Sequence, residues 1–511
     1  MTWRRESQVL SRFFVFALAT SIAWVIASLP LLWAVLLVGS AIFVTLVFIQ
    51  PRWGLYVLPF AVPFGSIREI AIGPATVGGT EAILGLFLAA WLARGIARRD
   101  LRLRQPPLWG AILLWYGVML FSTLNSLSLS ASIKELIKWG ETFALYTIAV
   151  QELRRRDIAI ILTTTLAAGT LAALEGIYQA VFQVGPSGFL FPLAGRLWLR
   201  AYGRFIQPNP YAGYLGLVLP LAYGLIMVGV GLGGRGRQIT STSWPTTGAV
   251  SPTFVGRGSP RFLRYLTSHA GLTLLAGAAT AIMLLALFLT LSRGAWIGAG
   301  VAAVAVSALL SRRAALFSLF LAIALSLGVA LGGAQLLPEV LANRLTDFLP
   351  YINVFNVDVR GIGINDQNFA VIERLAHWQA AYAMWADAPW LGQGVGNYAA
   401  VYPAYLIPPW EDPLGHAHNL FLNTLAETGL IGLGAYLIFW IGALWLTFQA
   451  VRRSKGMWRG MAVGTLGAMV HLHVHNFFDN LYVHGMYLHI ALLLAIAAIL
   501  SRGAVFPQEI E

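Results

Sequence analysis

The chain has 511 residues, of which 58% are hydrophobic and only 11% charged, against roughly 25% charged in soluble domains. That balance excludes a soluble globule, and uninterrupted apolar runs of about 20 residues exclude a transmembrane β-barrel, whose strands read as alternating segments of about ten. The absence of cysteine removes disulfides, thiolate metal sites and cysteine nucleophiles together. What remains is an all-α polytopic membrane protein.

The start, MTWRRESQVLSRFF, places basic residues before an apolar run with no small-x-small cleavage site, and reads as a retained first helix rather than a secretory signal. Apolar runs then fall at about 13–30, 31–49, 53–65, 81–97, 108–124, 133–150, 158–184, 211–232, 270–290, 294–310, 314–334, 419–447, 460–475 and 483–500. The run at 53–65 is short and Pro-rich, and that at 133–150 carries Lys134, Glu135, Lys138 and Glu141, so either could be re-entrant or interfacial. Twelve to fourteen transmembrane helices are expected.

Two hydrophilic stretches interrupt the pattern. Residues 233–269 are Gly/Ser/Thr/Pro-rich and basic, the composition of a cytoplasmic linker. Residues 335–418 carry helically spaced aromatic and apolar residues in ERLAHWQAAYAMWADAP, then turn-rich GQGVGNY and PAYLIPPWEDPLGHAHN. They form one large, partly helical extracytoplasmic loop, and long ordered loops are usually functional. The expected organisation is an N-terminal transmembrane bundle over 1–334, this loop over 335–418, and C-terminal transmembrane helices over 419–511.

The formal charge of +13 invites a nucleic-acid partner, but the placement of the basic residues argues otherwise. With the N-terminus in the cytoplasm, most of the 34 Lys and Arg fall inside, in runs such as Arg98–Arg99, Arg154–Arg156, Arg312–Arg313 and Arg452–Arg453, while most acidic residues fall outside. This is the positive-inside pattern; both termini are expected in the cytoplasm, and no nucleic acid is implied.

Several polar residues then converge on the outer face. Arg200 and Arg204 lie in RLWLRAYGRFIQPNPYAGY, Arg293 in TLSRGAW, and His416 and His418 where the large loop re-enters the membrane. Arginine at such depths is costly unless paired or solvated, and its forked, permanently charged donors suit phosphate. Each has a plainer reading: Arg293 as a snorkelling anchor, Arg204 as the partner of a nearby acid, and HAHN as the cap of a helix starting at Asn419. In HLHVHNFFDN, His471 and His475 are one turn apart, but only Asp479 offers itself as a third ligand, so no metal is expected. No nucleotide motif is present and no cofactor is expected.

HAHNLFLNTLAETGLIGLGAYL, from His416 to Leu437, resembles the signature of the O-antigen ligase/polymerase family, in which an HxHN element leads into a helix with E-x-G-x-x-G. RAYGRFIQPNPYAGYLGLVLPL resembles that family's Arg-x-x-Gly-x-Phe-x-x-Pro-Asn block, LTLSRGAWIG its Ser-Arg-Gly block, and RLAHWQAAYAMWADAPWLGQGVGNY the segment before the signature. The likeness covers about residues 200–440, and the 233–269 linker is a departure from it. It implies transfer of a glycan from an undecaprenyl-diphosphate carrier to an acceptor hydroxyl on the outer face of the bacterial cytoplasmic membrane, without metal. The acceptor would be a glycan, a lipid or a protein. Arg200 and Arg293, with Arg204 behind them, would bind the diphosphate; His418 would act as general base, with His416 orienting it. Asn209, Arg374, Asn419, Glu427, His475 and Asp479 would support that site. A ligase is favoured slightly over a polymerase for O-antigen or exopolysaccharide. A secondary transporter is the alternative of a different class, but its sites should lie at the midplane between repeated halves.

Overall fold

The computed structural model describes residues 20, 24, 27–65, 70–72, 75–193, 196–230, 269–337, 339–351, 358–365 and 368–502. The expected span at 13–30 lies largely, and the linker at 233–269 almost wholly, outside them. Within them the chain is helical almost throughout. The helices are α1 (Leu31–Ile49), α2 (Arg52–Phe64), α3 (Gly79–Ala97), α4 (Trp109–Ser122), α5 (Leu129–Glu152), α6 (Arg155–Phe182), α7 (Pro208–Gly229) and α8 (His269–Leu289). They continue as α9 (Arg293–Leu310), α10 (Arg312–Ala330), α11 (Glu339–Thr346), α12 (Phe369–Asp387), α13 (Leu420–Arg453), α14 (Gly456–His475) and α15 (Met486–Ser501).

Eight of these, α1, α3, α6 to α10 and α13, are long and apolar enough to cross a membrane. Helices α4 and α15 are apolar but shorter, α2 has only 13 residues with Pro59 and Pro63 inside it, and α5 is a 24-residue helix that carries five charges, Lys134, Glu135, Lys138, Glu141 and Glu152. Helical structure is what lipid demands, since every backbone donor and acceptor must be satisfied within the segment. The protein is an all-α polytopic membrane protein.

The chain divides into two units, Met1–Leu55 with Leu84–Arg102, and Tyr56–Ile83 with Leu103–Glu511. In the first, α1 is apolar all round and buries only Val47 among its 19 residues, as a helix does whose solvent is hydrocarbon. The core of the second is α7, α14 and α15. Helix α14 packs along α7 and α9, and α15 against α5 and α13. The α7–α14 contact is backbone to backbone: a Cβ added at Gly224 would lie 2.5 Å from the Gly460 carbonyl oxygen, and one at Gly464 would lie 2.8 Å from that of Pro220. Small residues permit this close approach, the ordinary glue of helices in lipid.

Two short hairpins depart from pure helix. One pairs β1 (Ile70–Ile72) with β2 (Ala75–Val77); the other pairs β3 (Leu190–Leu193) with β4 (Arg196–Leu199) in antiparallel register, Leu190 opposite Leu199. The second ladder ends with the Arg200 amide donating to the Phe189 carbonyl at 3.0 Å, which fixes where Arg200 leaves the strand.

Between α10 and α13 the large loop has cores of its own. Val359, Ile372, Leu375, Ala376, Ile407 and Trp410 form one. Ala380, Ala381, Met384, Tyr398, Tyr402, Ala417 and Ala426 form the other, which ties α12 to the start of α13.

Candidate functional site

The HAHN segment is held by its own side chains. Asn419 caps α13, its Oδ1 accepting from the Phe421 and Leu422 amides at 3.0 and 3.1 Å. Asn423 Oδ1 accepts from the Ala417 amide at 3.1 Å, and the Leu420 amide donates to the Asn476 carbonyl at 2.8 Å. His418 sits in the left-handed region at φ 51°, and its amide donates to His416 Nδ1 at 3.0 Å. This turn brings both rings, 4.4 Å apart between centroids, over one carboxylate: Asp479 Oδ1 lies 3.7 Å from His416 Nε2 and 3.6 Å from His418 Nδ1. Those are ion-pair distances, slightly long for hydrogen bonds.

The hydrogen-bond pattern assigns the tautomer of His416. His416 Nδ1 accepts a backbone N–H, so its proton sits on Nε2, toward Asp479. His418 turns Nδ1 toward Asp479 at 3.6 Å; a proton on that nitrogen would face the carboxylate and leave the Nε2 lone pair free. Burial by itself would raise the Asp479 carboxyl, but the contact and charge of His418, with the charges of His416 and His475, hold it well below the usual carboxylate range. Burial lowers His416 to about 4, with His418 pressing the same way and Asp479 opposing, so His416 is neutral at pH 7. A third imidazole, His377 on α12, stacks on Tyr402 (centroids 4.8 Å, 20°) and shares a 2.9 Å hydrogen bond between Nδ1 and the Tyr398 hydroxyl. Its ring lies 6.0 Å from that of His418.

The ligand atoms of His416, His418 and Asp479 lie within 4.8 Å of one another, the only such group of three among the described residues. To bind a cation there, His416 would have to free Nε2 by moving its proton to Nδ1, where it would face the His418 amide. The donor set is close enough for a metal, but its tautomer is set for hydrogen bonding. His471 and His475 are both buried, with His475 Nδ1 3.4 Å from His471 Nε2. His471 fills space left by Gly216 and Gly298, where any Cβ would collide with its ring.

Beside the histidines stands a group of guanidiniums. Arg200 donates from Nε to the Thr290 carbonyl at 2.8 Å, and its Nη2 reaches Asn209 Oδ1 at 3.5 Å. Burial, then the charges of Arg344, Arg374 and Arg293, lower Arg200 to about 9, which still leaves it protonated at neutral pH. Arg293 opens α9 and pairs with Asp347, while Arg374 anchors to the Ala370 carbonyl at 2.7 Å and its charge reaches His416. Arg204 lies elsewhere, half exposed and paired with Glu175 at 2.5 Å, as its plainer reading anticipates.

Glu427 lies beneath the loop. Its carboxylate accepts from the Gly396 and Tyr398 amides at 2.9 and 3.0 Å, pinning GQGVGNY to α13. Gly392, Gly394 and Gly396 all have positive φ (66°, 98° and 75°), and α13 breaks at Gly429 (φ 64°, ψ −168°) to receive the loop. Glu427 therefore positions the loop that carries Tyr398, and through it His377.

Arg344, Asp347 and His377 escape the sequence reading. His377 could have been found, since it falls three residues after Arg374 and so shares its helical face; Arg344 and Asp347 belong to a short helix with no motif around it.

The fold and site together define a multi-pass membrane protein with an imidazole–carboxylate cluster beside an arginine cluster. Residues 278–437 match the family described as O-Antigen ligase, and over them the chain carries a domain of that family, as the motifs imply. Its general function is membrane glycan transfer by a glycosyltransferase-type enzyme, with a lipid-linked glycan and an acceptor as partners. The matched stretch includes Arg293, Asp347, Arg374, His416 and His418; Arg200 and Asp479 reach the site from outside it. No curated protein matches the chain.

Proposed function

We propose that the protein transfers a glycan from an undecaprenyl-diphosphate carrier to an acceptor hydroxyl on the outer face of the cytoplasmic membrane, as a ligase, without a metal. The observation that carries this reading is the pairing of His418 with Asp479 beside Arg200, Arg293 and Arg374. His418 Nε2 takes the proton of the acceptor hydroxyl as its oxygen attacks the anomeric carbon. The bond from that carbon to the diphosphate breaks with inversion, and the arginines neutralise the charge that develops on the leaving lipid diphosphate. Asp479 stabilises the imidazolium and holds its orientation, the part a carboxylate plays behind any general-base histidine. His416, held neutral, fixes the turn.

The test is transfer by purified protein of a labelled glycan from undecaprenyl diphosphate in detergent with EDTA. Candidate acceptors, including a second carrier-linked glycan, are supplied one at a time. Wild type should turn over, His418→Ala and Arg293→Ala should abolish it, and Asp479→Asn should lower kcat by about 10²–10⁴ with KM little changed. The productive acceptor separates ligase from polymerase. Turnover that survives in His418→Ala would sink the general-base assignment, and turnover only with added divalent metal would sink the metal-free one.

A further inference from the structure

The arginine cluster contains a carboxylate. Arg200, Arg293, Arg344 and Arg374 act on one another electrostatically, and among them sits Asp347, whose side chain is 8% exposed. Its amide donates to the Asn343 carbonyl at 2.8 Å, so it continues the last turn of α11, three residues beyond Arg344. Its Oδ1 pairs with Arg293 Nη1, and the Arg344 charge acts on it as well. Burial raises the Asp347 carboxyl above its ordinary value and outweighs Arg293 and Arg344, which lower it, while its Oδ1 stays paired with Arg293.

A carboxylate and a phosphoryl group take the same forked donors of a guanidinium. Asp347 therefore holds on Arg293 a position that a phosphoryl oxygen would hold. Four guanidiniums against Asp347, with Glu373 also acting on Arg374, leave the group positive, so it attracts anions; without Asp347, like charges at close range in a partly dry site would repel one another still more. Arg344 lies on the eight-residue α11 and Asp347 just past its end, and this short helix is set between two 3-10 turns.

We propose that Asp347 is a resident counter-anion that the donor's diphosphate displaces from Arg293, and that Arg344, on the same turn, becomes a further ligand of the diphosphate. This rests on the diphosphate reading above. Displacement makes donor binding an exchange of one anion for another: the carboxylate lowers affinity by the fraction of time it occupies Arg293, and in return smaller anions such as inorganic phosphate are discouraged from filling the site.

The test uses the full chain in detergent and farnesyl diphosphate, a soluble isoprenoid diphosphate, as the probe in titration calorimetry. Asp347→Asn, which removes the charge and keeps the shape, should tighten the probe by about tenfold and raise the affinity for inorganic phosphate as well. Asp347→Glu should stay near wild type, and Arg344→Ala should weaken the probe. Asp347→Ser repeats the neutral substitution should the asparagine variant fail to fold. If Arg293→Ala loses the probe while Asp347→Asn and Asp347→Ser leave its affinity unchanged or weaker, the counter-anion assignment is overturned and the diphosphate reading stands. If wild type and Arg293→Ala bind the probe equally, or neither binds it, the diphosphate reading falls and this inference with it.

Discussion

Two imidazoles beside the site are set by burial. His377 and His416 are each lowered to about 4, in both cases by desolvation first, whereas an unfolded chain titrates them near 6.5. Between those values the unfolded state binds more protons than the folded one, so stability is full above about pH 6.5 and is lost as pH falls toward 4. The melting temperature should therefore drop between pH 7.5 and pH 5. For His416 the loss has an upper limit of about 1.4 kcal/mol per pH unit, and His416→Gln should flatten the profile. An unchanged melting temperature over that range would show that the rings are not held neutral. The same residue scale separates Arg200 from Arg204: both are legible as arginines near the outer face, but only the fold pairs one with Glu175 and the other with Asn209.

At the scale of elements, the junction of α13 with the 388–398 loop determines whether the site is assembled. The glycines of GQGVGNY read as turn residues in the sequence, and their positive φ angles agree. Their second reason is contact: a Cβ on Gly392 would enter the Glu427 backbone, and one on Gly429 would enter that of Trp390. Gly429→Ala should cost about 1–3 kcal/mol from the left-handed backbone alone, and more from the collision. Glu427→Ala, which orphans two buried amides, should cost about 1–3 kcal/mol for each. Thermal melts and proteolysis within 388–419 check both, with Gly434→Ala as a control, since that position has nothing within 4 Å. A Gly429→Ala protein as stable and protease-resistant as the control would refute the junction's role. The motif E-x-G-x-x-G is thus legible as a string, while its mechanical meaning depends on what packs against it.

At the scale of the whole molecule, the charge asymmetry of the loops predicts an orientation with His416 outside and the arginine runs inside. The chain has no cysteine, so single cysteines report without background. Glu411→Cys, in the exposed part of the large loop, should label with a membrane-impermeant maleimide in intact cells. Lys455→Cys, between α13 and α14, should label only after permeabilisation. Labelling of position 455 in intact cells would invert the topology and remove the site from the outer face.

The sequence by itself determined the class of fold, because a chain this apolar can satisfy its backbone in lipid only as helices. It also marked Asn419 as a candidate cap for the helix that follows HAHN, and its loop charges predicted that arginines and histidines gather on one face. Only the tertiary structure decided which of them meet. Asp479 reaches His418 through the turn between α14 and α15, and Arg344 and Asp347 reach Arg293 from a helix whose sequence carries no motif. Such contacts depend on helix packing at small residues and on loop cores such as that around Tyr398 and Tyr402. Local hydropathy does not encode them, because it records how each segment meets its solvent and not which segment becomes its neighbour.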